Sequence, residues 1–205
     1  GEPMHEDQVI DEILIVLIAG HETTANALSW SLYLLANDKP ELEKLTRATK
    51  NLSVTETVSN DALASVIKES MRLYPPAWIS DRVALQDDAY NNFTFPKGSI
   101  IILFYYGLHR DAKHWDNPDA FMPERFAKEN EDKRKPKAYY PFGGGPRLCI
   151  GNNFAMAEMA IFLQSMIEEF DIAPTDQQPK SNPLITLRPD SIVLSIKKAP
   201  HTRDS

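Results

Sequence analysis

The chain has 205 residues, 42% apolar and 25% charged, which is an ordinary soluble globular composition and enough for one domain or one large part of a domain. A net charge of −7 argues against wholesale nucleic-acid binding. The single cysteine, Cys149, permits no internal disulfide and suits a reducing compartment, so a cytoplasmic location is expected.

The first seven residues are polar and acidic and do not read as a signal peptide. Residues 8–36 carry apolar side chains at helical spacing: Ile10, Ile13, Leu14, Leu17, Ile18, then Leu28, Leu32 and Leu35. At ~1.5 Å per residue the helix is roughly 40 Å long. His21, Glu22 and Asn26 interrupt the apolar run, which favours a buried helix over a bilayer span. At its centre lies Ala19-Gly20-His21-Glu22-Thr23-Thr24. A mid-helix glycine costs about 1 kcal/mol, and threonines bond back to earlier carbonyls. Such a run fits either helix packing on small residues or a local opening for a small ligand and water. In the second case Glu22 supplies an acid and Thr23 a hydroxyl.

Asn37, Asp38 and Pro40 stop this helix, and a short charged helix follows over 41–49. Residues 51–59 read as a loop. Asn60 or Asp61 caps the next helix, 60–74, with Leu63, Val66, Ile67 and Met71 on one face. Glu69 and Arg72 stand three apart there and can meet. After Pro76 the pattern turns to short strands within 81–104, broken at Pro96-Lys97-Gly98. His109 has no clear His/Cys ligand set around it in sequence and reads as a structural hydrogen-bonding residue. Residues 128–137 are charged at most positions and read as a solvated loop; Lys133, Arg134, Lys135 and Lys137 form its basic half.

Residues 142–151 read Phe-Gly-Gly-Gly-Pro-Arg-Leu-Cys-Ile-Gly. Three glycines allow a tight turn and close approach to a flat ligand. A thiol just before a helix feels the positive end of the macrodipole. Arg147 is a permanent cation beside it. The chemistry this suggests is a thiolate ligating a metal from a loop, with a cation able to hold an acidic group. Residues 152–170 then form an apolar helix with Met156, Met159, Leu163 and Met166 in the core. Residues 184–197 read as a terminal hairpin, with strands 184–187 and 192–197 and a turn at Arg188-Pro189-Asp190-Ser191.

These motifs together resemble the cytochrome P-450 superfamily. The loop matches the haem-binding signature Phe-x-x-Gly-x-Arg-x-Cys-x-Gly at every fixed position. The 19–24 stretch matches the family's distal-helix pattern, and Glu69-x-x-Arg72 matches its Glu-x-x-Arg pair. The resemblance implies a mainly α fold with small β-sheets, and covers its C-terminal, haem-ligating half as a single partial domain, 1–205. It implies haem b with Cys149 as the axial thiolate ligand to iron. Phe142, Gly143, Arg147, Ile150 and Gly151 would border the haem on one side, Ala19 and Gly20 on the other. Arg82 and Arg147 would pair with propionates. Thr23 would hydrogen-bond dioxygen while Glu22 relays protons. Glu69, Arg72 and Arg125 would form a buried structural charge cluster. Ala77, Trp78, Ile79, Ile185 and Thr186 would line the substrate pocket.

The implied activity is monooxygenation of a C–H bond in a hydrophobic small molecule. The motifs are most similar to soluble bacterial fatty-acid hydroxylases and their eukaryotic-type relatives, which points to a long-chain fatty acid. Electrons would come from an NADPH-linked flavin reductase or a ferredoxin, with the basic stretch before the loop compatible with docking an acidic donor. The alternatives are a catalytically incomplete haem-binding fragment, or a peroxygenase or isomerase of the same fold. A further expected partner is the missing N-terminal half of the fold.

Overall fold

The computed structural model describes residues 3–133 and 138–199. Helix α1 spans Glu6–Asn37 and α2 spans Lys39–Ala48. Asp38 ends the first and caps the second, its carboxylate accepting from the Glu41 amide at 3.1 Å. Helix α3 (Val54–Val58) lies where the sequence reads as a loop, so that expectation is corrected. Its nucleus is a capping box: Ser53 Oγ accepts from the Glu56 amide while the Glu56 carboxylate accepts from the Ser53 amide. Thr57 then donates to Oε1 of buried Gln164 at 2.6 Å, a tertiary bond that local spacing does not announce. Helix α4 spans Asp61–Leu73, with Asn60 as the cap, its side chain accepting from the Leu63 amide at 3.0 Å.

Strands β1 (Ile79–Val83) and β4 (Ile100–Phe104) pair antiparallel, and β2 (Asp88–Tyr90) and β3 (Phe93–Phe95) form a separate hairpin. The stretch predicted as one small sheet is therefore two ribbons. Helix α5 (Tyr105–Leu108) is one turn that delivers His109 to the interior. Short 3₁₀ turns follow at Pro123–Phe126 and Lys128–Lys133, the second where a solvated loop was expected. Of the basic stretch, Arg134, Lys135 and Lys137 lie outside the described residues.

Helix α6 spans Asn152–Glu169. The predicted terminal hairpin is corrected. β8 (Leu194–Lys198) pairs with β5 (Phe170–Pro174), and β7 (Leu187–Pro189) pairs with β6 (Ser181–Pro183). The β5–β8 register sets Ile172 opposite Ile196 and seats Ile172 in the core. β6 reads Ser-Asn-Pro, with no apolar alternation to reveal it.

The core forms where the second half of α1, α2, α4, α6 and β5 converge, around Ala27, Leu35, Leu45, Leu63, Val66, Ile67, Leu163 and Ile172. Trp30 stacks flat on Tyr74 at 3.7 Å between ring centres, locking α1 to the end of α4. Burial in α1 begins only at Thr24. Before it, Ile13, Leu14, Ile15, Val16, Leu17 and Ile18 are each 48–66% exposed. Residues 13–18 thus present apolar side chains around the whole turn of the helix.

Candidate functional site

The glycine loop is shaped by its backbone. Gly143 (φ 73°) and Gly145 (φ 68°) occupy the left-handed region, which a side chain disfavours, whereas Gly144 is extended at φ −168°. A 3₁₀ turn over Gly145–Arg147 follows, and the Cys149 amide donates to the Phe142 carbonyl at 3.0 Å. This closes the loop and leaves the Cys149 thiol free and exposed. Gly151 is the N-cap of α6 and supplies no side chain there. Leu148 and Ile150 stand 50% and 99% exposed on either side of the cysteine.

The loop rests on the interior. The Tyr140 amide donates to Nε2 of His109 at 2.8 Å, and Tyr139 Oη donates to the Lys68 carbonyl of α4 at 2.8 Å. His109 is fully buried, and its pKa is pushed down to about 4, first by burial and then by the charge of Arg72. It is a neutral acceptor at physiological pH.

Beneath lies the charge cluster. Glu69 and Arg72 are fully buried and meet in a bidentate pair: Arg72 Nε to Glu69 Oε2 at 2.7 Å and Nη2 to Oε1 at 2.8 Å. The three remaining Arg72 N–H bonds reach the carbonyls of His109, Pro118 and Ala120. All five guanidinium donors are thus used. Arg125 Nε contacts Glu69 Oε1 at 3.2 Å, and the Met122 amide adds a fourth donor to that carboxylate. The sequence motif pairs two residues; the structure shows that the pair also fixes the segment from 109 to 125.

On α1, the helix runs unbroken through 19–24, so the local opening is corrected. Thr23 Oγ1 donates to the Ala19 carbonyl at 2.7 Å, within the helix. Ala19 and Gly20 are exposed, and a Cβ at Gly20 would meet nothing within 4 Å. Glu22 Oε1 accepts from Thr186 Oγ1 at 2.6 Å.

The proposed pocket residues come together only in part. Trp78 Nε1 donates to the Leu184 carbonyl at 2.9 Å, and the Leu187 amide donates to the Pro76 carbonyl at 2.9 Å. These bonds bring 76–78 beside the β6–β7 tip. Ala77 and Ile79 are exposed and Ile185 is 95% exposed. Thr186 departs from its neighbours: it is 6% exposed, with its hydroxyl on Glu22 instead of facing outward. Its link to Glu22 escaped the sequence reading, since 164 residues separate them. Arg82 is exposed and donates to the Asp81 carbonyl at 2.6 Å; Arg147 is exposed. Among the described residues neither cation is ion-paired, so both are available to an anionic group.

Among the described residues, no group of three or more His, Cys, Asp and Glu side chains could hold a metal ion. An exposed thiol, a loop turned by two glycines and two unpaired arginines fit an iron-porphyrin with acidic arms. Among the described residues, no helix is long and apolar enough to cross a membrane.

The sequence matches the pattern of the family described as Cytochrome P450 over residues 1–201. It is 39% identical to rabbit (Oryctolagus cuniculus) cytochrome P450 3A6 over 170 residues, covering 80% of this chain and 34% of that protein. It is 35% identical to rat (Rattus norvegicus) cytochrome P450 4F1 over 198 residues, covering 92% and 38%. It is 34% identical to leukotriene-B4 omega-hydroxylase 3 of mouse (Mus musculus), again covering 92% and 38%. These relatives are mammalian, and they lend no support to a nearer likeness to soluble bacterial members. The fold superposes on the crystal structure of a cytochrome P450DA mutant heme domain with a TM-score of 0.92 at 29% identity, covering 100% of this chain and 47% of the other. The chain thus spans little more than a third of the curated relatives it matches and about half of that solved domain. With its cysteine loop, its buried Glu69–Arg72 pair and these matches, the chain belongs to the cytochrome P450 family.

Proposed function

We propose that this chain is the cysteine-bearing part of a haem-thiolate monooxygenase. The observation that carries the reading is Cys149: a free, exposed thiol on a loop closed by its own amide and braced by His109. Cys149 would ligate iron as thiolate, and Arg147 and Arg82 would hold the acidic arms of haem b. Phe142, Gly143, Ile150 and Gly151 would border one face of the ring; Ala19 and Gly20 would border the other. The chemistry that haem supplies when bound is the reductive activation of dioxygen, with one oxygen atom going into a C–H bond and the other into water.

The remaining roles belong to this chain. Thr23 would donate its hydroxyl toward the oxygen-binding face on leaving the Ala19 carbonyl, and Glu22 would hold and pass the proton at its carboxylate. Ala77, Trp78, Ile79 and Ile185 would present an apolar wall to substrate. A fatty acid is the substrate class proposed, and the similarity to the mouse leukotriene-B4 omega-hydroxylase supports an oxidised lipid chain. Electrons would come from an NADPH-linked flavin reductase or a ferredoxin. The additional length of the relatives would cover the exposed half of α1 and close the pocket.

The test is the carbon-monoxide difference spectrum of the reduced, haem-loaded protein. A strongly red-shifted Soret band is expected, and Cys149→Ser abolishes the shift. A band at the position of histidine-ligated haem overturns the reading.

A further inference from the structure

Thr186 is buried at the tip between β6 and β7, at 6% exposure, and its hydroxyl has two partners on α1. Asn26 Nδ2 donates to Thr186 Oγ1 at 3.0 Å, and Thr186 Oγ1 donates to Glu22 Oε1 at 2.6 Å. A hydroxyl has one proton to give. The Asn26 amide NH₂ can only donate, so it occupies the acceptor side of Thr186 and leaves that proton for the carboxylate. The bond to a charged acceptor is of the short, strong kind. Glu22 and Asn26 stand four apart, on one face of α1, and Asn26 is itself 8% exposed.

The tip that carries Thr186 is held on both sides. The Leu184 amide bonds the Thr186 carbonyl at 3.1 Å, the Leu184 carbonyl accepts from Trp78 Nε1, and the Leu187 amide bonds the Pro76 carbonyl. Thr186 therefore arrives at α1 at a fixed height, where it meets Glu22 and Asn26 together. Thr23, next to Glu22, is held differently, by the helix's own Ala19 carbonyl.

We propose that Thr186, oriented by Asn26, is a positioning residue that fixes the Glu22 carboxylate and so sets the rate of proton delivery at this site. The proposal rests on the monooxygenase reading of Glu22 and assigns Thr186 a different place from the pocket wall. It also joins two parts of the site. Ile185, 95% exposed, is one residue from the bond that holds Glu22, so an apolar substrate that presses on Ile185 acts on that bond.

The experiment uses the full-length, haem-loaded protein with three substitutions: Thr186→Val, which removes the hydroxyl and keeps the shape; Thr186→Ser, which keeps the hydroxyl; and Glu22→Gln. The carboxylate infrared band of Glu22 is assigned by its loss in Glu22→Gln. Thr186→Val is expected to displace that band and to lower product formed per electron pair by about tenfold, with peroxide making up the difference and KM little changed; full loss of a general acid costs ~10² or more. Thr186→Ser is expected to restore both. If the valine variant does not fold, Thr186→Ala removes the same donor without added bulk. An unmoved band in a folded valine or alanine variant overturns the proposal, as does failure of serine to restore it. Unaltered product yield in Glu22→Gln overturns the role of Glu22 instead, and the band still decides whether Thr186 positions it.

Discussion

The amide of Tyr140 donates to Nε2 of His109 at 2.8 Å, so a fully buried imidazole braces the chain two residues before the cysteine loop begins. The bond requires neutral histidine. His109 has its pKa lowered from 6.5 to about 4 in the fold, so as pH falls the unfolded chain takes up the proton first. The stability it contributes is complete above about pH 6.5 and is lost between 6.5 and 4. Denaturant unfolding at pH 7 and pH 5 is expected to differ by about 2 kcal/mol from this group. A His109→Gln variant should lose that part of the pH dependence.

Arg72 is expected to be intolerant of change. Arg72→Ala leaves Glu69 buried with only Arg125 and the Met122 amide, and three carbonyls lose their donor. A loss of about 3–5 kcal/mol follows from removing one partner of a buried pair. Arg72→Lys should rescue little, since a three-donor ammonium cannot replace a five-donor fork. Thermal unfolding of both variants checks this.

The three consecutive glycines should not be equivalent. Gly143→Ala and Gly145→Ala force a side chain into the left-handed region and should each cost ~1–2 kcal/mol. Gly144 is extended, and a Cβ there meets the Tyr140 ring at 3.4 Å, an ordinary contact. Gly144→Ala should therefore be nearly silent. Thermal midpoints and haem retention of the three variants order them.

The first half of α1 should govern how this chain behaves by itself. Ile15 and Val16 are 60% and 65% exposed. Replacing both with Glu removes apolar surface from water without opening the core, and should raise the solubility of the isolated chain. In the full-length protein the same pair should be destabilising, because the fold proposed here covers that half. Sedimentation of the isolated chain and unfolding of the full-length protein give the two readings.

Much of this protein is legible in its sequence. The period of Leu63, Val66, Ile67 and Met71 specifies the buried face of α4, and the Asn60-Asp61 pair marks its start, because helix periodicity and capping are local. The cysteine loop is legible for the same reason: its glycines, arginine and thiol are contiguous. What the chain could not reveal locally is pairing. Leu187–Pro189 and Leu194–Lys198 are close in sequence yet join different partners, since strand pairing follows register and core burial, and β6 has no apolar pattern to declare it. Likewise Glu69–Arg72 reads as a helix pair, but its hold on His109, Pro118 and Ala120 exists only once the chain has returned to it. The hydroxyl of Thr186 is the sharpest case. The sequence places it beside Ile185 in a predicted strand, while the tertiary structure turns it into α1, because a buried hydroxyl must find a partner and Glu22 and Asn26 are the partners within reach.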